Sequence, residues 1–250
     1  MISGRRIAIT GGAGFIGTHL CRQLCQANEV VLFDNLARDA VSRTGLLDQP
    51  TVKLIRGDVR DGHAVAEAIT GCDIVVHLAA VAGVATVLRS PATTMTVNLL
   101  GTYAVLQAAS QRPNPPHVID FSTSEVFGPD AYQVREESST VQGAVGEARW
   151  TYAVSKLAGE HLCHAYYREF GMPFTGIRPF NIYGPGQVGE GAIHNFVVAA
   201  LKGEDLVVTG TGAQIRAWCY IDDIIRATLA CMETPEAIGE TFNIRILAAR

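Results

Sequence analysis

The chain has 250 residues, with 20 basic and 24 acidic side chains and a formal net charge of −4. Apolar residues make up 48% and charged ones 18%, which excludes a disordered chain and supplies a sizeable core for one or two domains. No basic stripe is present to displace counterions from a nucleic acid, so no nucleic-acid partner is expected.

No membrane partner is expected either, because the most apolar stretch, 74–88, contains His77 and is too short to cross a bilayer. Gly11, Gly12 and Gly14 interrupt the first apolar run, so residues 1–10 do not read as a secretory leader. Cys21, Cys25, Cys72, Cys163, Cys219 and Cys231 are irregularly spaced and read as reduced thiols of a cytoplasmic protein.

In chain order, a short apolar run at 6–10 leads into a glycine cluster and an amphipathic stretch at 15–26. That reads as strand, tight turn and helix. Further strands are expected at 29–34, 51–56, 73–78, 117–122 and 174–178, with long helices at 91–111, opened by Pro91, and 151–170. Short apolar strands alternating with helices predict an α/β fold, a doubly wound parallel sheet covered on both faces. The alternation ends after Arg178. Helices are expected at 192–202 and 222–233, within a smaller second lobe.

Thr10-Gly-Gly-Ala-Gly-Phe-Ile-Gly17 places Gly11, Gly14 and Gly17 at G-x-x-G-x-x-G. Lying between a strand and a helix, these glycines let a dinucleotide pyrophosphate approach the backbone N–H groups of a helix N-terminus. Asp34 ends the next strand, 20 residues after Gly14. Its carboxylate suits ribose hydroxyls and repels a 2′-phosphate, which favours NAD over NADP, although Arg38 leaves NADP open.

Tyr152 and Lys156 lie four apart on the expected long helix, hence on one face. An ammonium beside a phenol favours the phenolate, a base able to take a hydroxyl proton while hydride leaves for a nicotinamide. His161 and His164 lack the further partners a metal site requires, so no metal is expected. Cys21 and Cys25 read as packing residues, and Tyr166 and Tyr167 as interface or core.

The chain resembles the extended short-chain dehydrogenase/reductase family, in its nucleotide-sugar epimerase/dehydratase/decarboxylase branch. Beside the glycine turn and the Tyr152–Lys156 pair, the resemblance rests on Gly57-Asp58-Val59-Arg60-Asp61, His77-Leu-Ala-Ala80, Val97-Asn98-Leu-Leu-Gly-Thr102, Ser122-Thr-Ser-Glu-Val-Phe-Gly128, Arg178-Pro-Phe-Asn-Ile-Tyr-Gly-Pro185 and Tyr220-Ile-Asp-Asp223, in family order. It implies a Rossmann-type sheet, NAD as cofactor and a UDP-, dTDP- or GDP-hexose as substrate. The implied cofactor set is Gly11, Gly14, Phe15, Ile16, Gly17, Asp34, Asn35, Asp58, Val59, Leu78, Ala79, Ala80 and Asn98, with Asp58 and Val59 flanking adenine. Thr123 is implied to bond the sugar C4 hydroxyl, Tyr152 to be the base and Lys156 to hold the nicotinamide ribose. Asn181 and Arg216 match substrate-binding positions. A homodimer through the helices at 91–111 and 151–170 is implied as well.

By the same resemblance the reaction opens with oxidation at C4 and continues by dehydration, decarboxylation or epimerisation. Ser124 and Glu125 follow Thr123 and complete the expected catalytic set. Ser124 stands where dehydratases of the dTDP-glucose type carry Asp. Thr-Ser-Glu is similar to glucuronate decarboxylases and to guanosine-diphosphomannose dehydratases. The stretch 190–205 is similar to the decarboxylase pattern, yet residues 187–192 lack the arginine many decarboxylases carry there. Alternatives are a simple UDP-hexose 4-epimerase and, from another class, a non-catalytic regulatory protein that binds NAD or a nucleotide sugar; the retained Tyr–Lys pair disfavours the latter.

The expected division is 1–178 mainly as the NAD-binding domain and 179–250 mainly as the substrate lobe, with about 206–228 returning to the first. The resemblance also implies a longer C-terminal stretch, so the chain is expected to be truncated after Phe242-Asn243-Ile244.

Overall fold

The computed structural model describes residues 2–131, 133–208 and 210–245. Its elements are β1 (Arg6–Thr10), α1 (Phe15–Leu24), β2 (Glu29–Asp34), β3 (Val52–Arg56), α2 (Gly62–Ala68), β4 (Ile74–His77), α3 (Val84–Arg89), α4 (Pro91–Ser110), β5 (His117–Phe121), α5 (Thr151–Phe170), β6 (Phe174–Pro179), β7 (Asn181–Tyr183), α6 (Ala192–Lys202), β8 (Trp218–Tyr220), α7 (Ile221–Glu233) and β9 (Thr241–Ile244), with short 3-10 turns between them.

Seven strands form one sheet in the order β3-β2-β1-β4-β5-β6-β9, and each neighbouring pair is parallel. Strand order reverses between β1 and β4. At such a switch point the loops part and leave a crevice beyond the carboxyl ends of the strands. This is the expected Rossmann-type sheet. Alternate strand residues face opposite layers. Ile7, Ile9, Ile119 and Ile177 bury with Leu20 and Leu24 of α1 and Ile224 and Ile225 of α7. Ala8, Val31, Val75, Val118 and Phe174 bury with Val65 of α2, Val105 and Leu106 of α4, and Cys163 of α5. All six cysteines are free and buried.

The long helices match their expected bounds to within a residue. Pro91 opens α4 as expected, and Gly171, at φ +65, closes α5 in the left-handed conformation that Gly adopts without strain. The chain comes back to the main sheet over residues 221–244, where α7 packs on α1 and β9 pairs with β6; of the 206–228 expected to return, 221–228 lie in α7. Residues 204–208 and 210–217 form no regular element, since their apolar side chains have neither strand alternation nor a helical stripe. Beyond the main sheet, β7 and β8 form a separate parallel pair. The expected truncation falls on residues 246–250, outside the described residues.

Candidate active site

The glycine turn joins β1 to α1 at the mouth of the crevice. A Cβ on Gly11, which has φ +69, would stand 2.7 Å from the Ala79 backbone nitrogen. One on Gly17 would stand 2.6 Å from Gly12 Cα. The chain's own packing therefore explains these two glycines. Gly14 differs: it is the N-cap of α1 at φ −74 and ψ 179, conformations open to any residue. A Cβ there would meet only the Gly11 carbonyl oxygen, at 3.2 Å. What its missing Cβ leaves clear is the approach to the first-turn N–H groups of α1, beside Phe15 and Ile16, where a diphosphate fits.

Asp34 closes the turn from β2. Its Oδ2 accepts from the Ala13 N–H at 3.0 Å and its Oδ1 from the Leu36 N–H at 2.7 Å. Burial raises its carboxyl above the ordinary value, and these bonds pull it back. Asn35 is exposed and accepts from the Ala37 N–H at 3.0 Å. Arg38, which left NADP open, is committed elsewhere: its Nη2 donates to the Ala82 carbonyl at 2.8 Å and lies 3.8 Å from Glu190. Glu190 in turn accepts from the Ala85 and Thr86 N–H groups at 2.8 and 3.1 Å, fastening the loop after β7 to α3.

After β3, the Asp58 carboxylate is held by Arg60 through Nη2 at 2.6 Å and Nε at 3.0 Å, which keeps it below the usual carboxylate range. Val59 is buried against Gly101 of α4.

Leu78, Ala79 and Ala80 follow β4 and are half-buried along the crevice. Asn98 pins their loop, accepting from the Val81 N–H at 2.7 Å and donating to the Val81 carbonyl at 3.1 Å and Ser155 Oγ at 3.0 Å. His77 makes a buried chain below it. Thr102 Oγ1 donates to the Asn98 carbonyl at 2.9 Å, so it accepts from His77 Nε2 at 3.1 Å, and Nδ1 accepts from Thr10 Oγ1 at 2.7 Å. Burial pushes the imidazole down to about 3, so it stays neutral.

Thr123, Ser124 and Glu125 sit at the end of β5. Thr123 Oγ1 accepts from the Glu125 N–H at 3.2 Å and hydrogen-bonds the Tyr152 phenol. Lys156, one turn further along α5, is buried. The sequence reading expected its ammonium to lower the phenol. In the chain itself burial raises the Tyr152 phenol, Glu125 and Asp120 raise it further, and only the Thr123 bond opposes. The Lys156 charge bears instead on Asp120 and His77. Glu125 opens onto the crevice but is walled by protein, which raises its carboxyl, while Arg216 and Arg149 pull it back. Ser124 is half-buried beside it. Asn181 and Arg216 are exposed neighbours: the Asn181 N–H donates to the Ala217 carbonyl at 3.2 Å.

Sequence reasoning missed four residues here. Glu160 on α5 and Arg178 on β6 form a buried pair, with Arg178 Nε 3.1 Å from both carboxylate oxygens and Nη2 also on Oε1. Arg149, three residues before Tyr152, brings a charge to Glu125. Asp120 lies buried in β5. A charge inside an apolar strand was the available signal for Asp120 and Arg178, because such residues are almost never buried unpaired. His161 and His164 take no part in a metal cluster among the described residues; His164 stacks edge-on against Phe174 at 4.7 Å.

Comparison with known proteins agrees with this geometry. The family model described as "NAD dependent epimerase/dehydratase family" matches residues 7–244. A UDP-N-acetyl-alpha-D-glucosaminuronate decarboxylase of Bacillus cytotoxicus is 37% identical over 96% of this chain and 74% of its own length. The dTDP-glucose 4,6-dehydratase 1 of Escherichia coli is 33% identical over 96% of this chain and 71% of its own. The solved UDP-glucuronic acid 4-epimerase of Bacillus cereus, in complex with UDP-glucuronic acid and NAD, superposes with a TM-score of 0.86 at 34% identity, covering 96% of this chain and 77% of that one. With the first-turn N–H groups of α1 left clear at Gly14, a carboxylate at the end of β2 and Thr123, Tyr152 and Lys156 gathered between the end of β5 and α5, the chain belongs to the NAD dependent epimerase/dehydratase family.

Proposed function

We propose that the chain holds a UDP-linked hexuronate beside NAD, oxidises it at C4 and releases its carboxyl group as carbon dioxide. The observation that carries this reading is the pair of arginines bearing on Glu125 at the crevice mouth. Residues 187–192 lack an arginine for a substrate carboxylate, but Arg149 supplies a cation from the turn before α5. Two of the three relatives named above, the decarboxylase and the 4-epimerase, are named for UDP-linked uronic acids, which agrees with that charge.

The turn at Gly11, Gly14 and Gly17 with Phe15 and Ile16 takes the NAD diphosphate, Asp34 and Asn35 the adenosine ribose, and Asp58 and Val59 the adenine. Leu78, Ala79 and Ala80, braced by Asn98, line the remaining path. NAD, when bound, would supply the acceptor for the C4 hydride and the donor that later reduces C4 again. Thr123 and Tyr152 receive the C4 hydroxyl, and the phenolate takes its proton. Lys156 holds the nicotinamide ribose.

The ketone at C4 is β to the carboxylate. The C5–carboxylate bond breaks, carbon dioxide leaves, and the electron pair moves onto the C4 oxygen. Protonated Tyr152 and Thr123 hydrogen-bond that enolate. Glu125, whose walls favour its protonated form, gives a proton to C5 and is reprotonated from solvent. Tyr152 returns its proton as C4 is reduced. Arg149 steadies the carboxylate before it leaves, Ser124 shares its pocket, and Arg216 with Asn181 takes the UDP diphosphate.

Residues 1–178 together with Ile221–Ile244 serve as the NAD-binding unit, and the remainder as the substrate lobe. The exposed apolar side chains Leu100 and Tyr103 on α4 and Val154, Tyr167 and Phe170 on α5 support a homodimer through these helices. Six free, buried thiols suit the cytoplasm.

The test is incubation with UDP-glucuronate, UDP-N-acetylglucosaminuronate and dTDP-glucose, with products resolved by mass spectrometry. A uronate product lighter by carbon dioxide supports the reading. Loss of water from dTDP-glucose, or a uronate of unchanged mass with inverted C4, replaces it with dehydration or epimerisation.

A further inference from the structure

Four charged groups lie buried beneath Tyr152: Lys156 and Glu160 on successive turns of α5, Arg178 on β6 and Asp120 on β5. Glu160 and Arg178 neutralise one another through several hydrogen bonds. That leaves Lys156 and Asp120. Removing a buried charge's only counter-charge is costly, so the two must be considered together.

Asp120 lies in the middle of the sheet, between His77 of β4 and Gly176 of β6. Strand alternation turns it to the same face as Val118 and Ser122, towards α5. Its Oδ1 has no hydrogen-bond partner, and neither has Ser122 Oγ on that face. A buried carboxylate oxygen without a donor is rare enough to need a reason. The titratable and charged groups facing it are Lys156, Glu160, Cys163 and Tyr152 from α5 and His77 from β4. His77 is neutral, Glu160 is engaged by Arg178, and burial keeps the Cys163 thiol protonated. Arg178 of β6 is engaged by Glu160, so among the described residues Lys156 is the cation that compensates Asp120.

We propose that Asp120 is a positioning residue for the Tyr152–Lys156 pair: ionised, it neutralises Lys156, and protonated, it releases the lysine's charge to the phenol. The geometry gives it this leverage, since Asp120 stands three residues before Thr123, which hydrogen-bonds the Tyr152 phenol, and Lys156 follows Tyr152 by one turn of α5. Burial raises Asp120 to about 6, with Lys156 opposing and Glu160 adding. Asp120 is also among the groups that raise the Tyr152 phenol. The exchange therefore takes place near neutral pH, where an anionic Asp120 restrains the base and a neutral one frees it.

The chain has three lysines, Lys53, Lys156 and Lys202. Labelling lysine Cε with carbon-13 gives three resonances, assigned by Lys53→Arg and Lys202→Arg. Titration of the whole protein then reads Asp120 through Lys156 and does not depend on the proposed reaction. The Lys156 signal is expected to inflect near pH 6 in the wild type and to lose that inflection in Asp120→Asn and in Asp120→Ser. An inflection that survives either substitution, or a flat wild-type signal between about pH 4 and 8, overturns the proposal.

The second readout rests on the proposed oxidation. Removing one negative charge across a protein-like dielectric should move the acid limb of NAD reduction down by about one pH unit in Asp120→Asn. Superimposable limbs overturn the proposal. Absence of NAD reduction in the wild type overturns the functional reading instead and leaves the lysine titration to decide the role of Asp120.

Discussion

The pair Glu160–Arg178 gives the most quantitative prediction. Arg178 presents Nε and Nη2 to the Glu160 carboxylate and Nη1 to the Glu136 carbonyl at 2.9 Å, with its guanidinium 5.0 Å from the centroid of the Phe127 ring. Both side chains are more than nine-tenths buried. Glu160→Leu leaves the guanidinium buried with a single carbonyl partner. Breaking a pair in this way costs about 3–5 kcal/mol, a large share of the ~5–15 kcal/mol available to a domain. For a chain of this size that corresponds to a fall in Tm of about 10 °C. The double variant Glu160→Leu/Arg178→Met removes both charges, so it should recover most of the loss. Urea unfolding followed by circular dichroism measures all three proteins at one pH. If Glu160→Leu costs less than about 1 kcal/mol, or the double variant is no better than the single, the pair is not the buried tie described here.

Three further outcomes follow from named contacts. Gly14→Ala should leave stability within about 1 kcal/mol but weaken NAD binding at least ~10-fold by calorimetry, whereas Gly11→Ala should fold poorly because its Cβ meets backbone at positive φ. His77 is held neutral in the fold with its pKa lowered to about 3. The unfolded chain takes up that proton first, so its contribution is complete above about pH 6.5 and is lost as pH falls. Between pH 7 and pH 5 the wild type should therefore lose about 2 kcal/mol more than His77→Gln in urea titrations. Finally, sedimentation at micromolar concentration should show a dimer, converted to monomer by Tyr103→Glu on the exposed face of α4; a wild-type monomer contradicts the proposed interface.

The sheet was legible because its signals are local. Apolar runs bounded by Gly, Asp and Pro gave β1, β2 and β4–β6, and the long periodic segments gave α4 and α5 nearly to the residue. Neither α2 nor β9 was legible: the seven residues of α2 are too few for a helical period to emerge, and the four of β9 lack the continuous apolar run of the equally short β4 and are defined by pairing with β6, a contact no local pattern encodes. Within the site, Gly11, Asp34, Tyr152 and Lys156 stood out because each belongs to a spaced motif. Glu160 did not, since a lone acidic residue in a helix carries no mark of its partner, and the charge inside an apolar strand marks Asp120 as buried without naming what compensates it. The direction in which the Tyr152 phenol shifts was hidden for the same reason: spacing reveals Lys156 one turn away but not the burial, Glu125 and Asp120 that raise the phenol.

The division of labour between Tyr152 and Glu125 is tested most directly by adding UDP-hexuronate to NAD-loaded Tyr152→Phe and Glu125→Gln and following the absorbance of reduced nicotinamide. Tyr152→Phe should show no reduction, because nothing takes the C4 proton. Glu125→Gln should reduce its NAD and stall there, because C5 is not reprotonated and the hydride is not returned. Turnover of Glu125→Gln at the wild-type rate, or its failure to reduce NAD at all, contradicts the account.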